Sequence, residues 1–199
     1  GISWAFGASE VFHVLATQTS ILRKPPTMRI NMDGTPAGTV TPKDIALYLV
    51  GQIGAAGALG RAVEFAGPVV RAMPMEGRFT LCNMAVEMGA AFATIQPDDI
   101  TFDYLKGRRY APAGAAWDSA MAQWRLLKSD DDARFDHEAS IDFTQVAPQV
   151  SWGISPQDVI SVDGIVPDPA AEPDSQKRHA MEAGLDHTGL TPGVPIEGT

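Results

Sequence analysis

Four glycines spaced by three, Gly51, Gly54, Gly57 and Gly60, run into a short apolar alternation, Ala62-Val63-Glu64-Phe65-Ala66, which Gly67-Pro68 closes. Glycine weakens a helix and Gly-Pro punctuates a chain, so the helix arriving here must end. One short strand then forms. Met75-Glu76-Gly77-Arg78 opens a new periodic stretch in which Leu81, Met84, Ala85 and Met88 fall at i, i+3, i+4 and i+7, one face of a helix. Gly89 stands where a C-cap glycine belongs. Helix, strand and helix within residues 51–89 leave little choice but a layered arrangement of helices on a sheet.

Glu64 is the conspicuous residue of that strand. Val63 and Phe65 point to one face and Glu64 to the other. Such a glutamate is either solvated on an outer face or aimed into a cleft, and the glycines upstream let a backbone approach a ligand or another chain closely. The glycine run does not make a phosphate loop, because no G-x-x-x-x-G-K-[ST] is present and no strand leads directly into it.

The same alternation extends to both sides. Met28, Ile30 and Met32 alternate with Thr27, Arg29 and Asn31, a half-buried strand that Asp33-Gly34 turns. Thr41-Pro42-Lys43-Asp44 reads as a capped helix start with Ile45, Leu49, Val50 and Ile53 facing inward. Ala91 to Ile95 reads as a strand, and Gln96-Pro97-Asp98-Asp99 starts a helix through Lys106 with Phe102 and Leu105 on its core side. Upstream, a helix from about Ser9, capped by that serine, would bury Val11, Val14, Leu15 and Thr19. His13 lies off that stripe and has no histidine at i+4, so it is read as structural. Residues 1–6 begin without a helix-start signal, as an element cut in mid-course would, and Arg23-Lys24-Pro25-Pro26 breaks the chain.

The second half is less regular. Trp117, Ala120, Met121, Trp124 and Leu127 are helix-spaced and read as core packing. Asp130-Asp131-Asp132 lacks the spaced ligands of a calcium loop and reads as a solvated turn. Arg134 to Phe143 alternates as a strand, and its neighbours His137 and Glu138 point to opposite faces, so they cannot chelate one ion. From Pro148 the chain is loop-rich, with a capping box at Ser155-Pro156-Gln157-Asp158 and a helix over about Asp174–Leu185. The expected architecture is α/β: residues 1–22 a helix closing a preceding domain, 23–110 the α/β core domain, and 111–199 a helix, a strand and loop-rich chain leading onward.

Composition narrows the function classes. Of 199 residues, 45% are apolar, enough for a real core, and the net charge is -9, which with no basic cluster argues against nucleic acid or an anionic membrane as partner. The longest apolar run, Ile45–Ala58, is interrupted by Gln52 and three glycines and is too short to span a bilayer. No basic stretch and apolar core mark a signal peptide, and the single cysteine, Cys82, fits a reducing compartment, so a cytoplasmic location is expected. No CxxC, HExxH or nucleophile elbow occurs.

Several runs, in order along the chain, carry a family resemblance: Ser9-Glu10-Val11, His13–Thr19, Lys43-Asp44-Ile45, Gly60–Gly67, Met75–Arg78, Cys82-Asn83-Met84, Glu87–Ala90, Gln149–Gly153 and Val166–Pro169. Together they resemble the aconitase superfamily and, within it, the 3-isopropylmalate dehydratase large-subunit family. The resemblance implies an aconitase-like α/β fold and a hydro-lyase that removes water from a branched hydroxy-diacid and adds it back at the neighbouring carbon, a step of leucine biosynthesis. It implies a [4Fe–4S] cluster held by three cysteines, a small-subunit partner, and a catalytic glutamate at Glu64, with Gly60 and Arg61 as substrate-cleft residues. It also implies that an Asp-Ser-His-Thr segment precedes Gly1 and that the cluster cysteines follow Thr199. Arg61 stands where the family usually has histidine and Phe12 where it usually has glutamate.

With one cysteine, this chain is expected to hold no cluster and to be inactive alone. Two other readings stand beside this one: a sister dehydratase acting on a related malate such as 2,3-dimethylmalate, and a non-catalytic aconitase-like binding module. Removal of the flanking domains predicts an exposed apolar face on the first helix and self-association through it. Arg61, three residues from Glu64, is a candidate ion-pair partner for it.

Overall fold

The computed structural model describes residues 8–20 and 23–197. Its elements, in order, are α1 Ala8–Thr17, β1 Thr27–Asp33, α2 Pro42–Ile53, β2 Ala62–Ala66, α3 Pro68–Ala72, α4 Met75–Met84, a 3-10 turn Ala85–Met88, β3 Phe92–Ile95, α5 Asp99–Leu105, α6 Ala115–Trp124, β4 His137–Asp142, β5 Gln149–Ser151, β6 Val159–Ser161, a second 3-10 turn Pro169–Ala171 and α7 Ser175–Thr188. The expectations for residues 1–6 and for the last residues of the tail fall outside the described residues. Among those described, no helix is long and apolar enough to cross a membrane.

Four strands form a parallel sheet in the order β3-β2-β1-β4. β1 obeys its alternation: Met28, Ile30 and Met32 are buried and the residues between them are not. Val63 and Phe65 of β2 join them, each about 1% exposed, and α2 covers this face with Ile45, Ala46, Leu49 and Val50. Burying side chains of this size stabilises the fold by about 1.5–3 kcal/mol each. The start of α2 is the capping box read from the sequence: the Asp44 backbone N–H donates to Thr41 Oγ1, and the Thr41 N–H donates to the Asp44 carboxylate. That carboxylate also accepts from the Gln149 N–H at 2.8 Å, fastening β5 to the helix start. Burial pushes the Asp44 carboxyl up, but the hydrogen bonds from Gln149 and Thr41 outweigh it and hold the group below its usual range.

The helix expected over 76–88 divides into α4 and the 3-10 turn, capped by Gly89 in the left-handed region. Its Arg78 is structural. The guanidinium is 3% exposed and donates to both Asp98 carboxylate oxygens at 2.7 Å, to Met73 O at 3.0 Å, to Arg71 O at 3.3 Å and to Thr101 Oγ1 at 3.2 Å. Asp98 is also the N-cap of α5, so one ion pair ties α4 to α5.

Several expectations fail for physical reasons. Gly67-Pro68 does more than end β2. It starts α3, with Gly67 at the N-cap and Pro68 in the first turn, and a Cβ on Gly67 would lie 2.4 Å from Met32 O with φ at +105°. The Ser155–Asp158 box starts no helix. Its Asp158 side chain accepts from the Ser155 N–H inside the turn joining the antiparallel strands β5 and β6, the same local hydrogen bond serving a hairpin. Ser9 lies in the first turn of α1 and not at its cap. The aromatic stripe of α6 is half-buried: no residue of that helix is buried, and Trp124 stacks on Phe102 at 6.3 Å. Of the α1 stripe expected to be buried, Val11 and Leu15 are 41% and 69% accessible, Thr19 is exposed and Val14 is half-buried, which agrees instead with the exposed apolar face expected on the first helix; Phe12, off the stripe, is 75% accessible.

The later residues build a second, smaller cluster from Trp152, Val166, Leu185 and Ile196, between the β5–β6 hairpin and α7. Asp174 caps α7 by accepting from the Gln176 and Lys177 N–H groups. β4, arriving from the irregular half of the chain, pairs with β1 as the outer strand.

Candidate active site

The sheet face opposite the core carries polar residues in register. Thr94 of β3, Glu64 of β2, Arg29 of β1 and Glu138 of β4 stand side by side across the sheet. The burial alternation of β2 puts Glu64 on this face with 17% of its side chain exposed, which decides between the two placements open from sequence: it is neither freely solvated nor in the core. Ser129 Oγ donates to Glu64 Oε2 at 2.5 Å. Arg29 Nε lies 3.7 Å from Glu64 Oε1 and makes no hydrogen bond, and its guanidinium sits 5.4 Å from the Phe135 ring.

Glu64 lines a cleft of about 180 Å³ together with Arg29, Ala66, Gly67, Arg71, Arg78, Gln96 and Asp98. The cleft opens at the carboxyl ends of β2 and β3. In parallel α/β sheets that is the side on which ligands bind. A larger, more open hollow of about 380 Å³ beside the C-terminus of α7 is lined by Glu182, Asp186, Leu185 and prolines. It offers no cation and no strand end, so the smaller cleft is the better site despite its size.

Arg61 does not pair with Glu64. Its guanidinium instead meets His137 Nε2 at 3.0 Å and donates to Gly57 O at 3.3 Å. Gly60, at φ +68°, takes a backbone conformation suited to glycine, and its N–H donates to Gly89 O. Both residues stand before the amino end of β2, and neither is among the residues lining the Glu64 cleft.

Sequence reasoning missed Arg29, Ser129, Arg71 and Gln96. Arg29 becomes visible once β1 and β2 are known to pair in this register; Ser129, 65 residues from Glu64, left no signal.

Among the described residues, no group of three or more His, Cys, Asp or Glu is placed to hold a metal ion. Cys82 is half-buried, and burial pushes its thiol up to about 11 against the pull of Arg78. A thiol in that state is a poor ligand, since the thiolate is what binds iron.

A family model described as the aconitase family (aconitate hydratase) matches residues 1–199. The chain is 52% identical over 198 residues to a protein of Bradyrhizobium diazoefficiens named 3-isopropylmalate dehydratase large subunit 1. That match covers 100% of this chain and 42% of the relative, so the chain spans about two fifths of the relative's length.

Proposed function

Because this chain belongs to the aconitase family, we propose that it is an internal part of a hydro-lyase large subunit of the 3-isopropylmalate dehydratase type, working in the cytoplasm in leucine biosynthesis. Its substrate is a branched hydroxy-diacid, and its partners are a small subunit and the flanking domains of its own polypeptide. The observation that supports this reading is Glu64: a carboxylate held by Ser129, beside Arg29, in a cleft at the strand ends. A carboxylate so placed accepts a hydrogen bond from a substrate hydroxyl or a water and relays a proton. Gly60 and Arg61, expected beside the substrate, stand at the amino end of β2 and carry no substrate contact in this proposal.

The family resemblance implies a [4Fe–4S] cluster, a Lewis acid toward substrate oxygens. This chain's residues do not fit it, since the one cysteine, Cys82, is buried enough to disfavour its thiolate. In the proposal, the thiolates belong to the rest of the large subunit. Full-length large subunit prepared with iron is expected to show visible cluster absorption and, assembled with its small subunit, to turn over 3-isopropylmalate, whereas the 199-residue chain does neither. Colourless full-length protein under full iron supply would overturn the enzyme reading in favour of a non-catalytic binding module. Arg61, in place of the family's usual histidine, favours a test of 2,3-dimethylmalate beside 3-isopropylmalate. A higher kcat/KM on the former would identify a sister dehydratase.

The α1 face of Val11, Phe12 and Leu15 is proposed to be covered by the flanking domains in the whole protein, and by a second copy when this chain is alone. Light scattering at high micromolar concentration should give a dimer or larger species, and Leu15→Glu should shift it to monomer. Monodisperse monomer of the unmodified chain would remove the idea.

A further inference from the structure

The Glu64 cleft is unbalanced in charge. Arg29, Arg71 and Arg78 line it, with Glu64 and Asp98 as the acids. Arg78 is saturated by Asp98 and by backbone oxygens, and Arg29 faces Glu64 at 3.7 Å. The Arg71 guanidinium has no hydrogen bond or ion pair among the described residues, and the side chain is exposed. One positive charge is therefore unmatched, in a chain whose net charge is -9 and which has acids to spare.

The backbone beneath this guanidinium is fixed. The Arg71 N–H donates to Gly67 O at 3.2 Å, and Arg71 O accepts from the buried Arg78 at 3.3 Å. Gly67 in turn lies against the Met32 backbone, an approach that no other side chain permits. The Cα of Arg71 is thus held at the cleft edge by the ends of β1 and β2, so the backbone needs no ordering when an anion arrives and only the side chain must settle.

A free guanidinium and a held carboxylate on one small cleft match the two ends of a hydroxy acid. The guanidinium suits the carboxylate through two parallel N–H donors, and the carboxylate accepts from the hydroxyl on the neighbouring carbon. We propose that Arg71 anchors a carboxylate of the hydroxy-diacid, so that the hydroxyl is presented to Glu64; this assignment rests on the reading of Glu64 given above. Arg71 is then a binding residue that sets affinity for the diacid, while Glu64 acts on the reacting end.

Two measurements test the anchor. In full-length large subunit assembled with its small subunit, Arg71→Met is expected to raise KM for 3-isopropylmalate roughly 10- to 100-fold, with cluster absorption unchanged and kcat altered far less. Arg71→Lys should fall between, because lysine keeps the charge and loses the paired donors. In the 199-residue chain, titration with malate followed by NMR of the arginine Nε–Hε groups should shift the Arg71 resonance saturably. The neutral diamide of succinate should not shift it, and the malate shift should survive Glu64→Gln. An unaltered KM in Arg71→Met, or a malate titration that leaves the Arg71 resonance unmoved, overturns the anchor. If Glu64→Gln keeps full turnover while Arg71→Met raises KM, the anchor stands and the role of Glu64 falls.

Discussion

Glu64→Gln in the full-length protein is expected to lower kcat by roughly 10²-fold or more, the scale of a positioned acid or base. The substitution keeps the shape of the side chain, and Ser129 Oγ can still donate to the amide oxygen. What is lost is the negative charge and the ability to take a proton. Stability should change by less than about 1 kcal/mol, because Glu64 and Arg29 meet at 3.7 Å, without a hydrogen bond and in partial contact with water. Pairing it with Arg29→Met separates structure from chemistry. A structural ion pair would show coupling between the two replacements in denaturation. A catalytic carboxylate shows its loss in turnover whether or not Arg29 is present. Full turnover by a Glu64→Gln enzyme that retains its cluster would end the catalytic role.

Asp98→Ala is expected to destabilise the 199-residue chain by about 3 kcal/mol, the lower end of the usual cost of orphaning a buried charge. Arg78 is 3% exposed and would lose both of its charged hydrogen bonds, while Asp98 itself is 35% exposed, which lets water recover part of the loss. The α5 cap would go with them. The pH dependence carries the same signature. Burial pushes the Asp98 carboxyl up, but the Arg78 bonds, the Thr101 N–H and the Arg78 charge outweigh it and hold the carboxyl below its usual range. A carboxyl lowered by folding contributes stability that is fully present above its unfolded value, about 3.9, and is lost as pH falls through the lower folded value. Urea denaturation should therefore show the unmodified chain losing its advantage over Asp98→Ala only below about pH 4. A difference under about 1 kcal/mol at neutral pH would show the Arg78 clamp to be dispensable.

These two residues differ in how far the sequence could reveal them. The elements around them were legible because strong local signals agreed with the tertiary outcome. Met28, Ile30 and Met32 alternate and are buried alternately; Thr41, Pro42 and Asp44 cap the helix they announce. Where local chemistry was compatible with two structures, reading failed. Ser155 and Asp158 make the expected side-chain bond in a hairpin turn. The tryptophans of α6 keep helical spacing yet stay half-buried, because periodicity reports which residues share a face and not what covers it. The cleft was the least legible part. Glu64 stood out as a charge between two core residues. Arg29 reaches it only through strand register, Ser129 from 65 residues away, and Arg71 through a short helix that Gly67-Pro68 starts where a mere stop was expected. Arg61, near in sequence, proved remote because it precedes β2 and its guanidinium turns to His137 and the Gly57 carbonyl.

The placement of β4 beside β1 has a consequence for how the chain is made. Thr27 and Asp136 exchange hydrogen bonds across 109 residues, and β1 has no neighbour on that side until His137–Asp142 arrive. At ribosomal rates of about 5–20 residues per second, β1 spends roughly 5–20 s as an open edge, its N–H and C=O groups free to pair with another chain. During that interval the charge of Arg29 on β1 disfavours mispairing, and the nascent protein is at its most aggregation-prone after β3 has formed and before β4 has emerged.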